Sequence, residues 1–152
     1  MKTLADERDL AEVARRIGLV SPTSRRRWGK MTAAQMICHL SDAYRVALGE
    51  RHAEPVKNRY NGAPMKWAGL WLPFPWPHGV ATVPECDAML GGTPPADLEE
   101  DKRDLLVLVN RFVVEREVIA GRAHPFFGIL NAKEWMRWGY LHADHHLRQF
   151  SA

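Results

Sequence analysis

Residues 97–121 read DLEEDKRDLLVLVNRFVVEREVIAG, and this stretch has the clearest helical pattern in the chain. Asp97 and Glu100 have the spacing at which a polar side chain caps the first turn of a helix. Apolar residues then recur with a period near 3.6 residues, at Leu98, Leu105, Val109, Phe112 and Val113. The pattern predicts an amphipathic helix that begins at Asp97 and ends at Gly121.

Three further segments have the same helical periodicity. The first predicted helix runs from Asp6 to Gly18, since a glycine is a common helix stop. The second begins at Thr32 and the fourth at Asn131, and each start has a Gln or Glu three residues later, at the spacing of a capping box. Four amphipathic helices in one chain are typical of an all-α four-helix bundle.

Between the second and third predicted helices, residues 51–95 have no helical periodicity. Proline at high density excludes helix interiors and central strands, and aromatic residues argue against a disordered linker. The prolines and tryptophans of this stretch are Pro55, Pro64, Pro73, Pro75, Pro77, Pro84, Pro94, Pro95, Trp67, Trp71 and Trp76. We expect a long structured crossover, which either covers one end of the bundle or only completes its core.

Length and charge limit the possible classes of protein. A chain of 152 residues is long enough for one domain with its own core, and we expect a single domain over residues 1–152. With 21 Lys and Arg against 18 Asp and Glu, the net charge is only +3, so nucleic acid is not an expected partner. No apolar run approaches the about 20 residues of a membrane-spanning helix, and no N-terminal stretch is typical of a signal peptide. Two cysteines, Cys38 and Cys86, are too few for a disulfide framework, so we expect a cytoplasmic protein with no membrane partner.

Two histidines lie four residues apart in the fourth predicted helix, at His142 and His146. Successive residues are about 100° apart around a helix axis, so both rings lie on one face, one turn apart. Trp135, Trp138 and Gln149 share that face, which makes it the inward face of the helix. Two imidazoles on consecutive turns are a common way for a helix to offer ligands to one metal ion.

A third histidine, His39, lies on the inward face of the second predicted helix. Alone, a histidine on an apolar face is more often a core residue that bonds to a carbonyl or to water. Three inward imidazoles need partners, because unpaired buried polar groups are costly, and a divalent metal would satisfy all three. The pattern therefore indicates a metal site formed by His39, His142 and His146 with one coordination position open, and core packing is the alternative.

Other residues are candidates for the surroundings of this site. Asp42 lies one turn after His39 and could orient a ligand or accept a proton, although an exposed helix aspartate is the more common case. His145 lies about 60° from His142 and could be a fourth ligand, a general base or a residue at the rim of the site, and we favour the rim or a position that supports a ligand. Cys38 lies about 100° from His39, so we interpret it as a packing residue. The candidates for supporting or pocket positions are Asp42, Trp138, His145 and Gln149.

Arginines at positions 25–27 form a run between the first two predicted helices. Such a run could attract an anionic substrate, but a solvated connector is the commoner case. The tryptophans near the predicted helix faces, Trp28, Trp135 and Trp138, are interpreted as core residues, and the spacing of the last two favours packing.

Several segments resemble the DinB/YfiT-like superfamily, and more narrowly a subgroup catalogued as a domain of unknown function. The similar segments are residues 28–42, 124–128, 134–135 and 142–150, so that the resemblance spans about residues 25–150. Its most specific part is the pairing of His39 with the C-terminal His142 and His146. These three residues occupy the motif positions of the metal ligands of that family.

The resemblance implies a four-helix bundle, often a homodimer, in which three histidines bind a divalent metal. Zinc and nickel are the metals it implies first, and three imidazoles also accept iron or manganese. It further implies a small metal-dependent transferase, isomerase or hydrolase-like enzyme whose small-molecule substrate is a low-molecular-weight thiol such as glutathione, mycothiol or bacillithiol. The alternative is a non-catalytic bundle that a metal stabilises and that binds a small ligand. Many thiol-using relatives read His-Arg-Gly-Gln at the last ligand, whereas here the arginine of residues 146–149 is moved by one position, to Arg148.

Overall fold

The computed structural model describes residues 1–56 and 63–152, and in these residues the protein is mostly helical. The crossover residues 57–62 lie outside the described part. A 3₁₀ helix spans Pro84–Cys86, and β1 (Ala123–His124) pairs antiparallel with β2 (Gly128–Ile129). None of the described helices is long and apolar enough to cross a membrane. The described residues form six α-helices: α1 (Glu7–Leu19), α2 (Ala33–Leu48), α3 (Ala63–Trp71), α4 (Leu98–Val114), α5 (Arg116–Ile119) and α6 (Ala132–Gln149).

A polar residue precedes each of the four long helices, and its side chain accepts a hydrogen bond from an amide of the first turn: Asp6, Thr32, Asp97 and Asn131. Thr32 and Asn131 form complete capping boxes, because the Gln or Glu three residues later accepts a hydrogen bond from the amide of the cap residue. Caps of this kind stabilise a helix by about 1 kcal/mol each. The four helix starts predicted from the sequence are confirmed.

The crossover contains a helix, which the sequence pattern does not predict. Pro64 is the second residue of α3, a position where a helix does not need the missing amide hydrogen, and the next proline, Pro73, comes after the helix ends. Leu70 of α3 is fully buried in the core. The prediction of a crossover without helices is therefore wrong for residues 63–71.

The third predicted helix is two helices. α4 ends at Val114, the chain bends at Glu115, and α5 continues to Ile119, with Gly121 at a φ of 87°. Consecutive β-branched residues at the end of α4 lower its helix propensity, and the bend brings Ile119 into the core, where it is fully buried. The prediction of one helix from Asp97 to Gly121 is therefore wrong, although Gly121 does follow the end of the helical segment.

The short hairpin of β1 and β2 is also absent from the sequence prediction. His124 pairs with Gly128, which has a φ of 67°. The ring nitrogen Nδ1 of His124 accepts hydrogen bonds from the amides of Phe126 and Phe127, at 3.1 and 3.3 Å. The His124 side chain thus accepts hydrogen bonds that a backbone carbonyl usually accepts in a turn. Because the segment has no periodic apolar pattern, the sequence did not indicate this hairpin.

One cluster of buried apolar residues joins the four long helices. α2 packs against α4, and α6 packs against α1 and α5. α2 and α6 are buried around nearly their whole circumference, with unbroken buried runs at residues 36–44 and 135–140. Tyr44 of α2 donates a hydrogen bond of 2.9 Å to the carbonyl of Gly139 in α6. The two helices that carry the candidate metal ligands therefore lie at the centre of the molecule.

Close packing at Gly139 gives a test of this core. A Cβ at residue 139 would lie 2.7 Å from Cε1 of Phe112 and 2.8 Å from Cδ1 of Leu4. We expect Gly139→Ala to lower the free energy of unfolding by about 1–3 kcal/mol, because the core must shift to admit the methyl group. Urea unfolding measures the change.

The matched control is Gly18→Ala in α1, where an added Cβ meets no atom within 4 Å. Alanine is the better helix former, so this variant should gain about 0.5–1 kcal/mol. Equal effects of the two substitutions would contradict the packing described for α6.

Candidate metal centre

α2 and α6 bring three imidazole rings together: His39, His142 and His146. One ring nitrogen of each lies within 4.8 Å of one ring nitrogen of each of the others, and the Nε2 atoms of His39 and His142 are 3.1 Å apart. A tetrahedral zinc with metal–nitrogen bonds of about 2.0–2.1 Å separates its ligand nitrogens by about 3.3 Å. These three residues, the histidine cluster, could therefore hold one metal ion.

A backbone carbonyl fixes the ring of His39. Its Nδ1 lies 2.9 Å from the carbonyl oxygen of Cys86, at the end of the 3₁₀ helix in the crossover. A carbonyl oxygen can only accept a hydrogen bond, so Nδ1 of this neutral ring carries the hydrogen and Nε2 keeps a lone pair. Nε2 is the atom that faces His142. His39 thus presents a lone pair to the cluster, as a metal ligand must.

Gln149 fixes the ring of His146 in the same way. The amide nitrogen of Gln149 donates to the carbonyl of Trp28 at 2.8 Å, so its amide oxygen is the atom 2.9 Å from Nδ1 of His146. Nδ1 therefore donates, and the lone pair is on Nε2. Gly29 permits this approach, because it has a φ of 77° and a Cβ there would lie 2.5 Å from the Gln149 amide nitrogen.

The third ring, that of His142, is not fully satisfied within the protein. Its Nδ1 is buried and has no hydrogen-bond partner among the described residues. Its Nε2 faces an atom of His39 that already bears a lone pair, so these two nitrogens share at most one hydrogen. In the tautomer with its hydrogen on Nδ1, His142 adds a third Nε2 lone pair, and a divalent cation would accept all three.

Burial lowers the pKa of all three cluster histidines. For His142 and His146 the pKa lies well below its ordinary value, and the neighbouring imidazoles lower it further. For His39 the Cys86 carbonyl and Asp42 oppose the effect of burial on the pKa without cancelling it. The rings are neutral at pH 7, which is the state that binds metal.

Aromatic rings cover the histidine cluster on one side. The rings of Trp28 and His78 stack with centres 3.9 Å apart and planes 9° apart. The ring centre of Trp76 lies 6.1 Å from those of both His142 and His145. We call Trp28, Trp76 and His78 the aromatic cover. Two of its members belong to the crossover, so the crossover lies over the cluster in addition to contributing Leu70 to the core.

The three tryptophans expected in the core differ in position. Trp135 and Trp138 are buried there, and the ring centre of Trp138 lies 5.1 Å from that of His142. Trp28 is instead half-buried and stacks on His78, so the core interpretation is wrong for it. The sequence reasoning also missed His78 itself. The only signal for it was its place in an aromatic-rich, proline-rich stretch.

Asp42 is fully buried, so the expectation of an exposed aspartate is wrong. Its carboxylate accepts hydrogen bonds from the amide and hydroxyl of Thr93, at 2.6 and 2.8 Å. It also pairs with Arg45 and Arg51, each at 3.3 Å. Through these four contacts, both carboxylate oxygens of Asp42 belong to a hydrogen-bond and ion-pair network beside the cluster.

Arg51 extends this network to the crossover. Its guanidinium donates to the carbonyls of Glu85 and Gly91, both at 2.9 Å. Glu85 precedes Cys86, whose carbonyl holds His39. Asp42 and Arg51 together therefore tie α2 to the segment that orients a cluster histidine, a support that no motif in the sequence indicates.

His145 lies at the edge of the cluster. Its ring centre is 5.0 Å from that of His146 and 5.7 Å from that of Trp28. Burial, followed by the charge of Arg148, lowers the pKa of His145 to about 4, so it is neutral at pH 7. Arg148 itself pairs with Asp144 at 2.9 Å.

The two cysteines are free and buried. Burial raises the pKa of Cys38 and that of Cys86 to about 12, so both are protonated thiols at pH 7. Thiolates are the forms that bind metal and react, which leaves Cys38 the packing role expected from its angle on α2. Cys86 acts on the cluster only through its backbone carbonyl.

Comparison of the chain with protein-family models, with curated proteins and with solved structures finds no match. The resemblance to the DinB/YfiT-like superfamily therefore stays a prediction.

The role of Gln149 can be tested by metal affinity. We expect Gln149→Leu to lower it about tenfold to a hundredfold, since the His146 ring loses the acceptor that fixes its tautomer. Gln149→Glu keeps an acceptor for Nδ1 of His146 and loses only the hydrogen bond to the Trp28 carbonyl, so its metal affinity should fall by less. Competition with a chromogenic chelator measures both. An unchanged affinity in Gln149→Leu would argue against this orientation.

His124 gives a prediction that is independent of the metal. Burial lowers its pKa from 6.5 to about 3. The unfolded chain thus takes up a proton near pH 6.5, whereas the folded protein does so only near pH 3, and stability is full above pH 6.5 and falls as the pH falls towards 3. At pH 5 this one residue should remove about 2 kcal/mol from the free energy of unfolding.

The matching variant is His124→Asn, whose side-chain oxygen can accept the same two amides. In the presence of chelator, the drop in unfolding free energy between pH 7 and pH 5 should be about 2 kcal/mol smaller in this variant than in the wild type. Urea titrations of both proteins at the two pH values give the four free energies of unfolding that are needed. Identical pH dependence in both proteins would show that His124 is not buried in its neutral form.

Proposed function

We propose that the protein is a small metal-dependent enzyme, a transferase that uses a low-molecular-weight thiol, with zinc or nickel held by the histidine cluster. The observation that carries the proposal is the convergence of three neutral imidazoles, two of them with their Nε2 lone pairs fixed by carbonyl groups. A metal on three neutral imidazoles keeps an open position and lowers the pKa of a bound thiol, so it supplies a thiolate at neutral pH.

The chain's own residues prepare the site for this role. Cys86 and Gln149 hold two rings in the tautomer that binds metal. Burial keeps all three rings neutral, so no proton has to leave them at pH 7. Trp76 of the aromatic cover lies beside His142, and the three cluster rings are themselves buried, so electrostatic interactions within the site act in surroundings with little water.

The proposal includes the fold that the resemblance implies. α1, α2, α4 and α6 would form the four-helix bundle, with the ligands on α2 and α6. Their shared apolar core supports this assignment. Iron and manganese also accept three imidazoles, so the choice of zinc or nickel rests on the resemblance.

A second candidate function is a non-catalytic bundle that a metal stabilises and that binds a small ligand. The burial of the cluster favours it, since His39 is 4% exposed and His142 and His146 are each 9% exposed. A deeply covered ion is more typical of structural sites than of catalytic ones. Both candidates need a metal, and they differ in whether a thiol reacts.

Metal content tests the site that both candidates share. Protein purified without an affinity tag should carry about one equivalent of a divalent metal by elemental analysis. His142→Ala should lose it, because two ligands remain. His145→Ala is the matched control on the same helix and should keep it. Equal and negligible metal in all three proteins would reject the site.

Turnover separates the two candidates. Metal-loaded wild-type protein, incubated with a panel of thiols and electrophilic acceptors, should form thioether products at a rate that chelator and His142→Ala abolish. Bound metal with no turnover and no thiol binding would overturn the transferase proposal and support the non-catalytic bundle.

A further inference from the structure

We infer that the ligand of this site is an anionic small molecule and that residues 25–30, which read RRRWGK, bind its negative groups. This inference rests on the proposed function, since it names the class of thiol that the site takes. The cations of the segment, called the basic connector below, are Arg25, Arg26, Arg27 and Lys30. Guanidinium and ammonium groups recognise carboxylates and phosphates.

The basic connector borders the histidine cluster through Trp28. The ring of Trp28 stacks on His78 and lies 5.7 Å from that of His145. Its carbonyl accepts the hydrogen bond of Gln149, which in turn accepts the hydrogen bond of His146. One side chain therefore separates the connector backbone from a proposed metal ligand.

The connector is fixed in place by neutral partners. The amide of Arg27 donates to the carbonyl of Gln149 at 2.8 Å, and its guanidinium donates to the hydroxyl of Ser151 at 2.9 Å. The guanidinium of Arg26 donates to the carbonyls of Lys30 and Met31, at 2.6 and 3.1 Å. Such partners order the cations without cancelling their charge.

No carboxylate among the described residues neutralises the connector. None of its four cationic side chains has an acidic partner within 4.0 Å, and those of Arg25 and Lys30 make no hydrogen bond to the described residues. All four are exposed. Six consecutive residues thus carry four exposed positive charges that no carboxylate of the described residues neutralises.

Three arginines that the structure describes near the site each have a carboxylate partner, which each of them shares with a second arginine. Arg148, on the same helix as two cluster histidines, pairs with Asp144. Arg45 and Arg51 both pair with the buried carboxylate of Asp42. The cations of the basic connector differ from these arginines in having no carboxylate partner among the described residues, so they are the ones most available to an anionic substrate.

The test compares two thiols that differ in charge on metal-loaded protein. Mercaptosuccinate carries two carboxylates, and 2-mercaptoethanol is neutral. Arg25→Gln/Lys30→Gln removes the two cations that have no structural bond, so the segment should keep its fold. We expect this variant to raise the Kd of mercaptosuccinate about fivefold to tenfold by calorimetry, and to leave that of 2-mercaptoethanol within about twofold.

The matched control is Arg8→Gln/Arg122→Gln, which removes the same charge from two exposed residues outside the connector. The carbonyl of Arg122 accepts a hydrogen bond from the amide of Leu130, just before α6 begins, whereas His142 lies about 15 Å along α6 from its first residue, Ala132. This control should change neither Kd. Added salt should weaken mercaptosuccinate binding more in the wild type than in the connector variant. Equal changes for the two thiols, or none, would overturn the inference.

Succinate separates failure of this inference from failure of the proposed function. It has the carboxylates of mercaptosuccinate without the thiol, so its binding to chelator-treated protein needs no metal. If the protein as purified holds no metal, and the connector variant weakens succinate binding, the proposed function is overturned and the anion site is supported. If metal and thiol both bind, and the connector variant binds mercaptosuccinate as tightly as the wild type does, the proposed function is supported and the anion site is overturned. Inorganic phosphate in the same assay shows whether the site prefers phosphate to carboxylate.

Discussion

The rest of the structure depends on the burial of three neutral imidazoles between α2 and α6. Removing a polar ring from water is costly unless both of its nitrogens find partners. His39 meets this demand at Nδ1 with the carbonyl of Cys86 in the crossover, and His146 meets it at Nδ1 with Gln149. Gln149 in turn bonds to the carbonyl of Trp28, in the segment before α2. Hydrogen bonds to the rings therefore help to hold both the 3₁₀ helix and this segment beside the cluster.

Local chemistry made the helix starts predictable. Asp97 and Asn131 cap their helices by contacts three residues away, and such contacts depend on little else. The bend at Glu115 and the short α3 were not predictable in this way. Both depend on burying one residue, Ile119 or Leu70, against helices that are distant in sequence.

The candidate ligands were predictable because an i, i+4 pair of histidines is a pattern of side chains. Their supports were not. Cys86 and Trp28 act through carbonyl oxygens, which every residue type has, so no residue pattern marks them. α2 and α6 are also buried around nearly their whole circumference. A prediction based on one inward face therefore did not indicate that Asp42 is buried as well. Side-chain spacing therefore indicated the cluster, and only tertiary structure shows what holds it.

The contact between His39 and His142 joins residues 103 positions apart in the chain. The entropy lost on closing a chain loop rises with its length, and contacts of high sequence separation form late and slowly. We therefore expect the cluster to assemble after the local helices. A metal bound there would act mainly on the unfolding rate, because the contacts it reinforces are absent from an early transition state.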